Sequence, residues 1–158
     1  MKIIDNFLDK EDFLKLQNFI IKGKMPWYFG EVICKEEKHS QFYHIFYDYF
    51  TIYSNNFDLL YPIITKLNIK ACVRIKANLL TRTDEIVEHG YHTDYDFDNL
   101  KTAVFYCNTN NGYTKFKNGK KVESIENRIV CFDAKELHTG STCTDEKTRV
   151  VININYYE

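Results

Sequence analysis

The sequence predicts an α+β fold, mainly β, with N-terminal helices packed on one face of a sheet. Three observations lead there. Helical periodicity is confined to the stretch before residue 68, while from Lys70 onward short alternating segments follow one another to residue 157. Asn-Gly dipeptides punctuate this second half in the way hairpin turns do. Aromatic residues reach 16%, with 12 Tyr and 12 Phe, which suits a pleated, half-buried core.

Taken in order, Lys2-Ile3-Ile4 reads as a short strand, and a helix follows from about Asp9 to Lys22. Asp9 is placed to cap it, and Phe13, Leu16, Phe19 and Ile20 recur at helical spacing. Gly23 and Pro26 end it. Trp27 to Cys34 and Phe42 to Tyr53 are aromatic and β-branched and read as strands, separated by the polar loop KEEKHSQ. A second helix is expected from about Asn55 to Leu67, with Leu59, Leu60, Ile63, Ile64 and Leu67 on one stripe. Pro62 must kink it or shift its start. ACVRIKANLL, KTAVFYC, Arg128 to Phe132 and Thr148 to Tyr157 are strands, and Asn111-Gly112 and Asn118-Gly119 are expected as hairpin turns of type I′. So many short strands, with candidate ligands on several of them, argue for a double-stranded β-helix, a jelly-roll or cupin-like barrel.

With 158 residues the chain suffices for one domain, taken as 1–158, and not for two. A formal net charge of −1 gives no sign of a nucleic-acid partner. The charged N-terminus lacks a signal-peptide core, and no apolar run reaches membrane-spanning length. Five scattered cysteines (Cys34, Cys72, Cys107, Cys131, Cys143) without a C-x-x-C pair read as reduced residues of a cytoplasmic protein.

The candidate chemistry begins at His92-Thr93-Asp94, in HGYHTDYDFD. In a strand, residues two apart share a face, so imidazole and carboxylate would point the same way. His138, in KELHTGST, is the candidate third ligand, and Arg149 follows in the closing strand. Two imidazoles and one carboxylate leave open positions on a metal, the arrangement of non-haem Fe(II) oxygenases, and an arginine near them suits a co-substrate carboxylate. His-x-Asp alone has little specificity; four such residues in this order, each at a strand or strand end, have more. In the last strand Val150, Ile152, Ile154 and Tyr156 share one face, and Arg149, Val151, Asn153 and Asn155 the other, which in a barrel is the interior. His89 lies an odd step from His92 and should face away as a non-ligand. His39 and His44 read as structural or exposed. The acidic run from Asp94 to Asp98 lacks the glycine and glutamate of a calcium loop, so Asp96 and Asp98 read as surface or mouth residues.

His92-x-Asp94, His138 and Arg149 resemble the Fe(II)/2-oxoglutarate-dependent dioxygenase superfamily, nearest its small prolyl-hydroxylase-like members. The similarity extends from IIDNFLDKEDFLKLQNFI through HGYHTD to ELHTG and TRVVININY. The resemblance implies that His92, Asp94 and His138 hold Fe(II), that Arg149 grips the distal carboxylate of 2-oxoglutarate, and that Asn78 is a second co-substrate contact. Leu80 stands where many relatives are expected to have a tyrosine. It also implies hydroxylation with O2, releasing succinate and CO2, since halogenating relatives lack the carboxylate that Asp94 provides. The expected substrate is a protein side chain or a small molecule. The alternatives are a non-catalytic metal-binding barrel, or a nucleic-acid base demethylase, which the charge balance does not favour.

Overall fold

Strand β1 (Lys2–Ile4) and helix α1 (Lys10–Ile21) open the chain in a computed structural model that describes residues 1–23, 25–31 and 40–158. The helix forms where expected and buries Phe13, Leu16 and Ile20. Asp9 occupies the cap position through its backbone carbonyl, which accepts the Phe13 N–H at 3.0 Å. Its carboxylate does not cap; it accepts from Lys66 at 2.9 Å, because a cation from the second helical segment is within reach.

Strand β2 (Tyr28–Gly30) falls within the segment expected from Trp27 to Cys34; residues 32–34 and most of the polar loop, His39 included, lie outside the described residues. The single strand expected from Phe42 to Tyr53 is a hairpin: β3 (Gln41–Asp48) turns at Tyr49 and Phe50 into β4 (Thr51–Ile52). Both turn residues have positive φ, 36° and 69°, without the glycine or asparagine that signals such a turn. The second helix begins later than its apolar stripe. A 3₁₀ turn over Phe57–Leu60 leads into α2 (Tyr61–Lys66), and Pro62 sits in the first turn, where a missing N–H costs nothing.

The second half contributes β5 (Ala71–Thr81), β6 (Lys101–Tyr106), β7 (Tyr113–Phe116), β8 (Lys121–Glu123), β9 (Ile129–Asp133), β10 (His138–Gly140) and β11 (Thr148–Tyr157). An eight-stranded antiparallel sheet runs β1-β9-β6-β11-β5-β3-β2, with β4 on β3, and a three-stranded sheet runs β10-β7-β8. Helices cover one face of the large sheet, packing Leu16, Leu60 and Ile63 against Ile75, Phe105, Ile152 and Ile154. On the other face Val104, Tyr106, Val130, Phe132 and Val151 meet Phe116 and Val122 of the small sheet. Alternation on β11 makes this two-sided arrangement possible, since one set of side chains enters each core.

The two Asn-Gly pairs part company. Gly119 has φ +89° and sits in the β7–β8 hairpin; Asn118 does not have positive φ, so the turn is not type I′. Asn111-Gly112 is no hairpin turn, because β6 and β7 belong to different sheets. There the glycine serves a close approach: a Cβ on Gly112 would lie 2.6 Å from Arg149 Cδ and 2.7 Å from the Thr142 carbonyl oxygen. Among the described residues all four cysteines are free, Cys107 and Cys143 buried, and no helix is long and apolar enough to cross a membrane.

Candidate metal centre and its cavity

His138 leads β10 of the small sheet, while His92 joins it through a single antiparallel bridge, with N–H···O bonds of 2.9 and 3.0 Å in both directions. This bridge, rather than a strand, brings the sequence-distant residues together. Asp94 lies beyond it in a bend, so the period-two argument for His92 and Asp94 does not hold, although both side chains turn inward. His89, expected to face away as a non-ligand, is not among the three converging ligand groups, but the same irregularity leaves it buried and lining the same cavity as His92.

One ligand atom each of His92, Asp94 and His138 lie within 4.8 Å of one another. Asp94 Oδ1 is 4.0 Å from Nε2 of both imidazoles. Its other oxygen is occupied: Thr102 Oγ1 donates at 2.9 Å and Asn155 Nδ2 at 2.8 Å. Each imidazole has its Nδ1 against a backbone carbonyl, Gly90 at 3.2 Å for His92 and Glu136 at 2.9 Å for His138. Donation from Nδ1–H in both places leaves the Nε2 lone pairs facing Asp94 Oδ1, the tautomers a metal requires. Phe132 and Phe116 pack around the His138 ring, with centroids at 4.8 and 6.2 Å.

Burial pushes the Asp94 carboxyl up, but His138, the Asn155 amide, Arg74 and the Thr102 hydroxyl together bring it below the ordinary carboxylate value. Burial also lowers His138, against the opposing pull of Asp94. At neutral pH the carboxylate is therefore ionised and this imidazole neutral, the forms that ligate. Asp96 and Asp98 turn outward to Lys135, at 3.3 and 2.6 Å, which fits surface residues and no calcium loop.

The group opens on a cavity of about 210 Å³ between the two sheets, whose lining includes Gln41, Arg74, Lys76, Asn78, Asn153 and Arg149. Arg149 is 3% exposed, with Nε donating to Ser124 Oγ at 2.8 Å and Nη2 to Thr114 Oγ1 at 3.2 Å. The Tyr106 hydroxyl in turn donates to Thr114, at 2.9 Å, and its ring lies under the guanidinium at 5.8 Å. Across the ladder Leu80 faces Arg149, and Asn78 stands one level further in, opposite Val151. Thr102, Thr114, Ser124 and Asn155 were not foreseen in these supporting places. Small hydroxyl and amide residues carry no local signal, although Asn155 falls on the inward face read from β11.

Solved structures share this arrangement of elements. A viral collagen prolyl hydroxylase from Paramecium bursaria Chlorella virus-1 superimposes with a TM-score of 0.63 at 15% identity, over 99% of this chain and 90% of that one. A prolyl hydroxylase from Trichoplax adhaerens, in complex with a hypoxia inducible factor oxygen degradation domain peptide fragment, gives 0.69 at 12% identity, over 99% and 82%. The fold is that of these prolyl hydroxylases. An oxidoreductase of the 2OG-Fe(II) oxygenase family from Burkholderia pseudomallei has the same fold, with a TM-score of 0.69 at 9% identity over 98% and 84%. No family model matches the sequence, and no curated protein does.

Proposed function

We propose that the protein is an Fe(II)- and 2-oxoglutarate-dependent dioxygenase that hydroxylates a protein side chain or a small molecule, within one double-stranded β-helix domain. The observation that carries this reading is a buried cation without an acid. Arg149 has hydroxyls and an aromatic ring around it, and among the described residues no carboxylate pairs with it. An uncompensated buried charge is costly, so its natural partner is an anion that comes and goes. A guanidinium forks onto a carboxylate with two parallel bonds, and the cavity it lines also holds the His92, Asp94 and His138 group.

The donor set fits the metal. Two imidazoles and one ionised carboxylate suit Fe(II), and they leave room for a bidentate co-substrate and O2. When bound, iron and 2-oxoglutarate supply oxidative decarboxylation to succinate and CO2, coupled to hydroxylation of substrate. The chain's own residues prepare the site. Thr102 and Asn155 hold Oδ2 of Asp94 so that Oδ1 faces both imidazoles. The Gly90 and Glu136 carbonyls keep Nε2 of each ring free of its proton. Arg149 orients the distal carboxylate, and Phe116 and Phe132 keep water from His138. Asn78 is close enough along β5 to serve as the second co-substrate contact, in place of the hydroxyl that Leu80 lacks. The peptide-bound neighbour supports a protein substrate as one option.

The test is calorimetric, under nitrogen. Mn(II) should bind the wild type with one-to-one stoichiometry and His138→Ala should lose it. 2-Oxoglutarate should bind the Mn(II) form, and Arg149→Ala should weaken it by about 3 kcal/mol, as for breaking a buried charge pair. Equal affinity in wild type and Arg149→Ala would leave a metal-binding barrel without this activity.

A further inference from the structure

Lys76 is a charge that the dioxygenase chemistry does not use. It stands on the cavity-facing side of β5, directly opposite Asn153 on β11 and two residues from Asn78. Its ammonium lies 5.0 Å over the Tyr43 ring, and among the described residues it has no carboxylate or carbonyl partner. Burial and the Arg74 charge pull its pKa down to about 8, against Asp94 and Asp48, so at neutral pH it is still mainly the ammonium. The Asn153 carboxamide makes no hydrogen bond among the described residues: its buried oxygen has no partner and its amide nitrogen, the donor an anion needs, is bonded to none of them. One cation and one uncommitted amide, directly opposite each other on β5 and β11, therefore share a wall of the cavity.

The charges do not balance without a further ligand. Among the described residues, Arg74, Lys76 and Arg149 line the cavity together with a single carboxylate, Asp94. A divalent metal and dianionic 2-oxoglutarate cancel each other. Arg74 has acids nearby, Asp94 Oδ1 at 3.9 Å and Asp48 across the β3–β5 ladder. Arg149 and the metal between them take both ends of 2-oxoglutarate. Lys76 is left over.

Building on the dioxygenase reading, we infer that the primary substrate is an anion, which presents a carboxylate or phosphate group to Lys76 with the Asn153 carboxamide as a hydrogen-bond donor beside it. The cavity measures about 210 Å³, so the anionic group belongs to the part of the substrate that enters it. A tightly hydrated ammonium suits either anion as a point charge, and the Asn153 amide supplies the direction it lacks.

The probes are N-acetylglycine, its neutral isostere N-acetylglycinamide, and inorganic phosphate. They are titrated into protein saturated with Zn(II) and 2-oxoglutarate, with ¹³C-labelled lysine ε-carbons observed by NMR and affinities taken by calorimetry. N-acetylglycine or phosphate should bind saturably and shift the Lys76 resonance, identified as the one absent from Lys76→Met. The amide should not bind. Lys76→Met and Lys76→Gln should lose about tenfold or more in anion affinity, as expected for bonds to a charged donor, while Lys76→Arg retains it. Zn(II) stoichiometry and 2-oxoglutarate affinity should stay within twofold in all three variants. Preference for one anion identifies the substrate group. Absence of anion binding, or equal binding in Lys76→Met, overturns the proposal. So does a loss of 2-oxoglutarate in Lys76→Met, because the lysine would then serve the co-substrate. Failure of the wild type to take up Zn(II) or 2-oxoglutarate appears before any probe is added, and it refutes the dioxygenase reading instead.

Discussion

The two faces of the large sheet are made from the same strands and have opposite characters. Toward the helices, β5, β6 and β11 present Ile75, Ala77, Phe105, Ile152, Ile154 and Tyr156, all fully buried. Toward the small sheet, β5 and β11 present Arg74, Lys76, Asn78, Arg149 and Asn153, with several polar atoms left without partners. The difference shows a division of labour within single strands: stability is drawn from one set of alternate residues, and the cost of keeping polar groups ready for ligands is carried by the other.

The comparison is broken most forcefully from the helix side. Phe105→Ala removes a ring packed edge-on to Phe7 and Phe13 and should destabilise by about 4 kcal/mol. Below its lowered melting temperature the variant should still bind one Mn(II) per chain. Lost metal stoichiometry in the folded variant would mean that the faces are not independent.

A smaller effect is expected where the cavity face meets its scaffold. Gly112→Ala forces a methyl against Arg149 Cδ and the Thr142 backbone, so it should cost about 1–3 kcal/mol in stability. Because Arg149 must shift, 2-oxoglutarate affinity should fall while Mn(II) affinity holds. Unchanged 2-oxoglutarate binding would show that the guanidinium position is not what the glycine protects.

The smallest effect has the opposite sign. Lys76→Met replaces a poorly solvated cation by an apolar side chain and should stabilise the apo protein by about 1 kcal/mol, after allowance for its partial exposure. The pH dependence follows from the depressed pKa, about 8 against an ordinary 10.5. Between these values the unfolded chain holds a proton that the folded chain has released. Lysine's penalty is therefore complete below pH 8 and is relieved as pH rises to 10.5. Wild-type stability should gain on Lys76→Met across that window, measured by urea unfolding at successive pH values. Parallel curves would remove Lys76 from the buried wall.

The regular strands of this molecule could be read from sequence, and the places where the chain departs from regularity could not. Alternation on β11 identified both of its faces because every second residue there is apolar. His92, Asp94 and His138 were recognisable as a set, yet the reason they meet is a two-residue bridge that no periodicity announces. Alternation does not fix the direction of His89, because the segment before His92 is not a strand, and its ring lines the cavity without joining the three ligand candidates. Tyr49 and Phe50 hid a turn, since their positive φ is imposed by the hairpin around them rather than by their own preference. Gly112 sent the opposite false signal: its role is space beside Arg149, a long-range fact invisible in the dipeptide Asn-Gly.

Strand β11 lies between β5 and β6 in the large sheet, yet follows both in the chain. Ten residues, Thr148–Tyr157, thus join two halves that otherwise have no common ladder. During synthesis, β5 and β6 must wait with open edges until this segment has emerged, and the wait exposes apolar strand to neighbouring chains. Refolding should likewise be limited by the long loops that β11 closes, on the millisecond-to-second scale of non-local β topologies. The same strand that delivers Arg149 to the cavity thereby sets the pace at which the cavity comes to exist.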